Sequence, residues 1–186
     1  MPRITAERRA ARRQQILEAA WECFTRHGFQ ATTMDQVAAA AGVSAGTTYT
    51  YFATKDELVI ATAEVAMGRF AQAFEQLADR ADPASPTEIL AAIADELRRR
   101  GEHPRYDMTK IALQAWAESI RGPAVHRTIR EGHDRLGLIL RTLVQRWAAT
   151  TAQPVDSERT SELLQTLVPG LMLATVLTGH PPTITV

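Results

Sequence analysis

At three breaks between apolar-periodic segments a hydroxyl residue is followed three positions later by a side chain that can complete a capping box: Thr33 with Gln36, Thr54 with Glu57, and Ser85 with Glu88. The hydroxyl accepts from the third helical N–H, and the Gln or Glu reaches back to the N–H of the cap, so each pair marks the start of a helix. Pro86 strengthens the third start by standing at the first helical position. Ser44 is a further cap, and Gly28, Gly42, Gly101 and Gly122 fall where helices should stop. Between these marks apolar residues recur at i, i+3, i+4 and i+7, and no window alternates as a strand would. The spacing predicts an all-α fold with helices over about 5–27, 33–41, 45–52, 54–80, 86–100, 105–119, 123–149 and 156–178. The fourth, at 1.5 Å per residue, would be roughly 40 Å long and able to join two parts of the molecule rigidly.

With 186 residues, the chain can bury a core without disulfides or metals. A single cysteine, Cys23, excludes an internal disulfide framework and suits a reducing compartment. The longest apolar run, 168–177, is short of a membrane span, and the basic start has no apolar run behind it. A cytoplasmic protein without a membrane partner is expected.

Lys and Arg equal Asp and Glu at 21 each, yet the charge is uneven. Residues 1–55 hold seven basic side chains against four acidic ones, a surplus of three that the remainder reverses. A basic end suits a polyanion. In that end, two short helices are joined by the turn Gly42-Val43-Ser44, the arrangement of a helix-turn-helix, whose second helix enters the major groove. Thr47, Thr50 and Tyr51 offer hydroxyls to phosphates, Tyr49 a flat group with a polar tip, and Ala45 and Gly46 allow close approach. Lys55 stands at a helix N-terminus, which favours phosphate.

Residues 10–58 resemble the N-terminal DNA-binding domain of the TetR family of bacterial transcriptional regulators. The resemblance is carried by Ile16-Leu17-x-Ala19-Ala20-x-x-x-Phe24, by Gly28-Phe29-x-x-Thr32-Thr33, and by Val37-Ala38-x-x-Ala41-Gly42-Val43-Ser44-x-Gly46-Thr47-x-Tyr49-x-Tyr51-Phe52 followed by Lys55-x-Glu57-Leu58. It implies a helix-turn-helix head over 1–53 and a ligand-binding and dimerisation bundle over 54–186, linked by the long fourth helix. It also implies that Ala45, Gly46 and Tyr49 approach base edges, while Thr33, Ser44, Thr47, Thr50, Tyr51 and Lys55 lie at phosphates or the groove edge. Thr48 stands where the family usually has an aliphatic residue, so the recognition helix should pack less firmly. That helix has no Arg, Lys, Asn or Gln, so the strong bidentate pairings to guanine or adenine are missing. Readout should lean on Tyr49, thymine methyls, groove shape and an arm bearing Arg3 and Arg8.

The family resemblance further implies a small-molecule effector, expected to be apolar or aromatic, in a cavity between the fourth to seventh helices. Met67, Phe70, Phe74, Met108, Ala112 and Trp116, with His103, Tyr106 and Gln114 nearby, are its candidate lining. Leu136, Leu140, Leu143 and Trp147 on the seventh helix, with Leu164, Leu167 and Leu171 on the eighth, form the expected homodimer face. Cys23 reads as an inert core thiol. His126 and His133, two turns apart, read as solvated or dimer-surface residues rather than metal ligands, and Arg98-Arg99-Arg100 as charges complementing a helix C-terminus. No nucleophile–base pair, phosphate loop or isolated carboxylate pair is present, so neither an enzyme nor a cofactor is expected. The reading is a homodimeric repressor of a palindromic operator, released by its effector. The alternative is a helix-turn-helix dimer that works without a ligand.

Overall fold

A computed structural model describes residues 5–151 and 154–184. Its helices are α1 (Ala6–Ala31), α2 (Met34–Ala41), α3 (Ala45–Tyr51), α4 (Lys55–Ala78), α5 (Pro86–Gly101), α6 (Met108–Ser119), α7 (Pro123–Ala148) and α8 (Ser157–Thr178), with no strand among the described residues. The starts follow the caps. Thr33 and Ser85 each make both bonds of a capping box, and the Ser44 and Thr54 hydroxyls accept from Thr47 N and Glu57 N at 3.1 Å each. A cap of this kind stabilises its helix by about 1 kcal/mol.

Two boundaries differ from the periodicity. Gly28 does adopt positive φ (78°), but the chain resumes a last helical turn to Ala31 instead of stopping. That kinked turn turns Phe29 inward, edge-on to Phe24 with ring centroids 4.5 Å apart. α6 begins at Met108 rather than near Arg105, because the Asp107 carboxylate accepts from Thr109 N at 2.9 Å and Lys110 N at 3.0 Å.

Two buried clusters form the interior. The first joins Ile16, Leu17, Trp21 and Phe24 of α1 to Val37, Phe52, the first half of α4 from Leu58 to Ala66, and Met108, Ile111 and Ala115 of α6. The second gathers Phe70 and Phe74, Ile89, Ile93 and Leu97, and the inward residues of α7 and α8. α4 packs chiefly on α7. Glycine makes this possible: a Cβ at Gly132 would lie 2.8 Å from the Met67 Cβ and 2.9 Å from its Cγ.

Most of the expected dimer face packs within the chain itself. Leu136, Leu140, Leu143 and Leu164 are buried within this chain's own bundle, and Trp147 and Leu171 are half-buried. Of that set, only Leu167 is exposed. The inward stripe of α7 is covered by α4, α6 and α8. The stripe left open lies on α8, where Leu163, Leu167 and Leu177 are exposed on the face that also carries Gly170, with Leu138 of α7 exposed as well. α8 is the one described helix whose length and composition would allow it to cross a membrane. Here it packs on α5, α6 and α7 through Ser161, Leu164, Val168, Met172 and Thr175.

Candidate DNA-binding face and ligand cavity

Ser44, Ala45, Gly46, Tyr49 and Thr50 are exposed together on α3, and Tyr49 is 49% accessible. Thr48 faces inward and is fully buried, its hydroxyl 3.5 Å from Ser44 O. A threonine thus occupies the packing position, leaving one methyl and a back-bonded hydroxyl where an aliphatic chain would fill more space. Several hydroxyls are already committed: Ser44 Oγ and Thr47 Oγ1 lie 2.8 Å apart, and Thr50 Oγ1 donates to Gly46 O at 2.9 Å. Thr33 is exposed at the start of α2. Lys55 is half-buried and donates to Gln30 O at 3.0 Å, tying α4 to the end of α1. Arg8 is exposed on α1, whereas Arg3 lies outside the described residues.

Two arginines that entered the sequence reading only as charge stand at this face. Arg9 lies over the Tyr51 ring at 5.8 Å and Arg13 over Phe52 at 4.9 Å. Their i, i+4 spacing was the available signal; that these side chains reach the rings at the end of α3 was not visible in the sequence.

Beneath the head, a cavity of about 400 Å³ opens between α4, α6, α7 and α8, with Arg100 of α5 in its wall. Met67, Phe70, Ala112 and Trp116 line it as expected. The other expected residues are elsewhere. Phe74 is buried against Phe70 in solid core. His103, Tyr106 and Met108 border a second, smaller pocket with Arg69, Glu96, Arg99 and Arg100, the last of which also lines the first, because residues 105–107 precede α6 rather than belonging to it. Gln114 faces α1: its Nε2 donates to Phe24 O at 3.1 Å, and its Oε1 accepts from Phe29 N at 3.0 Å.

Sequence reasoning missed the polar part of the cavity wall: Arg100, His126, Arg130, His133 and Gln165. His126, Arg130 and His133 share one edge of α7, and their i, i+4, i+7 spacing was the signal. Arg100 is held below the Phe70 face, 4.7 Å from the ring centroid. Its Nε bonds Glu96 Oε1 at 3.0 Å and its Nη2 bonds Ala66 O at 2.8 Å. Burial pushes the guanidinium pKa below its ordinary value while Glu96 holds it up, and arginine stays charged at neutral pH. In the core of α1, burial pushes the Cys23 thiol pKa up, with Glu22 adding and Arg26 opposing, which is the environment of an unreactive thiol.

The seam between head and bundle is polar and specific. Besides Gln114, Arg105 pairs with Glu18 and Glu22 at 3.2 Å each, Gln30 donates to Glu118 at 2.7 Å, and Asp107 N donates to Thr25 at 3.1 Å.

Comparison with known proteins agrees with this architecture. Residues 16–62 match the model of bacterial regulatory proteins of the tetR family, and residues 86–185 match the C-terminal model of BetI-type transcriptional repressors. The HTH-type transcriptional regulator BetI of Escherichia coli is 26% identical over 185 residues, 97% of this chain and 89% of that one. Other curated relatives match in part: the chain spans 25% of the regulator YhgD of Bacillus subtilis, at 55% identity over 47 residues, and 64% of YfiR from the same organism. Among solved structures, a TetR transcription regulator from Haloarcula marismortui superposes with a TM-score of 0.77 at 21% identity, over 92% of this chain and 89% of that one. A transcriptional regulator from Saccharomonospora viridis in complex with choline gives 0.72 at 22%, over 91% and 87%. The structural likenesses show the fold; the model spanning residues 86–185, more than half of the sequence, shows the kinship, and the chain belongs to the TetR family of bacterial regulators with a C-terminal part of the BetI type.

Proposed function

We propose that this protein represses transcription as a homodimer that binds a palindromic operator through α3 and releases it when a small molecule occupies the cavity between α4 and α8. The observation that carries the reading is the double role of α6. Ala112, Trp116 and Ser119 of this helix wall the cavity, while Gln114 between them holds both sides of the Gly28 kink in α1. A molecule that displaces α6 therefore acts on the helix against which the recognition unit is packed. A cavity at the modest end of the size range of ligand sites suits such an effector. The choline-bound neighbour of the same fold supports small-molecule occupancy.

The exposed stripe of α8, with Leu138 of α7, is the face on which two copies would meet. Leu163, Leu167, Gly170 and Leu177 recur at heptad-like spacing, and Gly170 permits close approach. A two-fold axis there presents two α3 helices to successive major grooves about 34–36 Å apart.

The test is binding to a duplex selected from a random pool. Affinity should fall steeply with salt, as counterions released by phosphate contacts require. Tyr49→Ala should flatten the preference among bases, each mismatch normally costing about 1–3 kcal/mol. A selected pool with no two-fold symmetry, or unaltered base preference in Tyr49→Ala, would overturn the reading.

A further inference from the structure

Given that the cavity is an effector site, the unbalanced charge of its wall says which chemistry it takes. Among the described residues, none that lines it carries a carboxylate, whereas two are arginines and two are histidines. Arg130 makes no ion pair among the described residues. Arg100 has a partner in Glu96, but that one carboxylate is shared with Arg99, whose Nη2 lies 2.8 Å from it. Arg100 is also the most deeply buried of these charges, with 9% of its side chain accessible, and its Nη1 has no acceptor among the described residues. A buried guanidinium that is only partly compensated gains from a bound anion.

We propose that the effector is an organic monoanion, a carboxylate on an apolar alkyl or aryl body, with its head at Arg100 and Arg130 and its body along Phe70, Trp116 and Met172. The opposite chemistry is disfavoured on the same grounds. A quaternary ammonium is held by open aromatic faces or by carboxylates. Here Arg100 already covers one face of Phe70, and among the described residues Trp116 is the one other aromatic besides the histidines that lines the cavity. His126 and His133 at the mouth add N–H donors that a carboxylate can use and a cation cannot.

The test compares octanoate, 1-octanol and octyltrimethylammonium, and in parallel 3-phenylpropionate with 3-phenylpropanol, by calorimetric titration of the full chain and by competition with the selected duplex. Each carboxylate should bind about tenfold or more tighter than its neutral counterpart, as a charge-assisted contact implies. The alkyl and aryl arms separate the two kinds of body. Arg130→Gln, at an exposed position that the fold does not need, should weaken octanoate more than octanol, and Arg100→Met should do so more strongly. Preference for the ammonium or the alcohol would overturn the anion assignment and leave the receptor reading standing. Tighter carboxylate binding with no loss of duplex affinity would uphold the assignment and overturn effector-driven release. Binding by none of the five compounds would overturn the assignment.

Discussion

Gln114 spends both ends of one amide on two backbone groups that flank the Gly28 kink, Phe24 O and Phe29 N. Truncating it removes a part-buried hydrogen bond from each, a loss of about 1–3 kcal/mol. Gln114→Ala should therefore lower the melting temperature by several degrees. It should also uncouple effector from operator, so that the protein still binds its ligand in calorimetry but releases DNA less readily. The sequence placed Gln114 near the cavity because Trp116 and Ala112 are close in the chain, but i+2 on a helix is the opposite side. The base-facing residues of α3 were easier to read, since a cap, a turn and a recognition helix are all local. The polar residues of α7 in the cavity wall were harder. The spacing of His126, Arg130 and His133 puts them on one edge of the helix, but what α4 and α8 leave uncovered beside that edge is not recorded in it.

The helices themselves were legible nearly to the residue where a side chain caps them, as at Thr33, Ser44 and Ser85. Their faces were not. Leu140 and Leu167 look alike in the sequence, yet one is fully buried and the other 45% accessible. The eighth helix is apolar nearly all round, so periodicity cannot say which stripe its own bundle takes first. This difference sets a paired prediction. Leu167→Glu should give monomers that keep their helicity and lose operator binding, read by sedimentation and circular dichroism. Leu140→Glu buries an unpaired carboxylate, a cost of several kcal/mol against a total stability of about 5–15, and should unfold the bundle. Equal behaviour of the two variants would show that α8 does not form the contact between copies.

Across the whole molecule, the expected division near residues 53 and 54 follows a break in helix but not in packing. The first core continues through Leu58, Val59, Ala63 and Ala66 before the second begins at Phe70. α4 therefore belongs to both cores, and it leans on α7 at one place where a single hydrogen atom is all the room there is: Gly132 against Met67. That contact makes α4 a lever with its fulcrum at Met67. The arm from there to Lys55 is twelve residues, roughly 18 Å, with α1 of the head packed along it and the recognition unit at its far end. A methyl group at the fulcrum cannot be absorbed by a flexible side-chain tip, because it meets the Cβ of Met67 and so its backbone. Gly132→Ala should push α4 aside by a fraction of an ångström at the pivot and by several times that at the recognition helix. Operator affinity should drop without any ligand, in a protein whose assembly state and helicity match the parent. One methyl, placed there, would do mechanically what the proposed effector would do chemically.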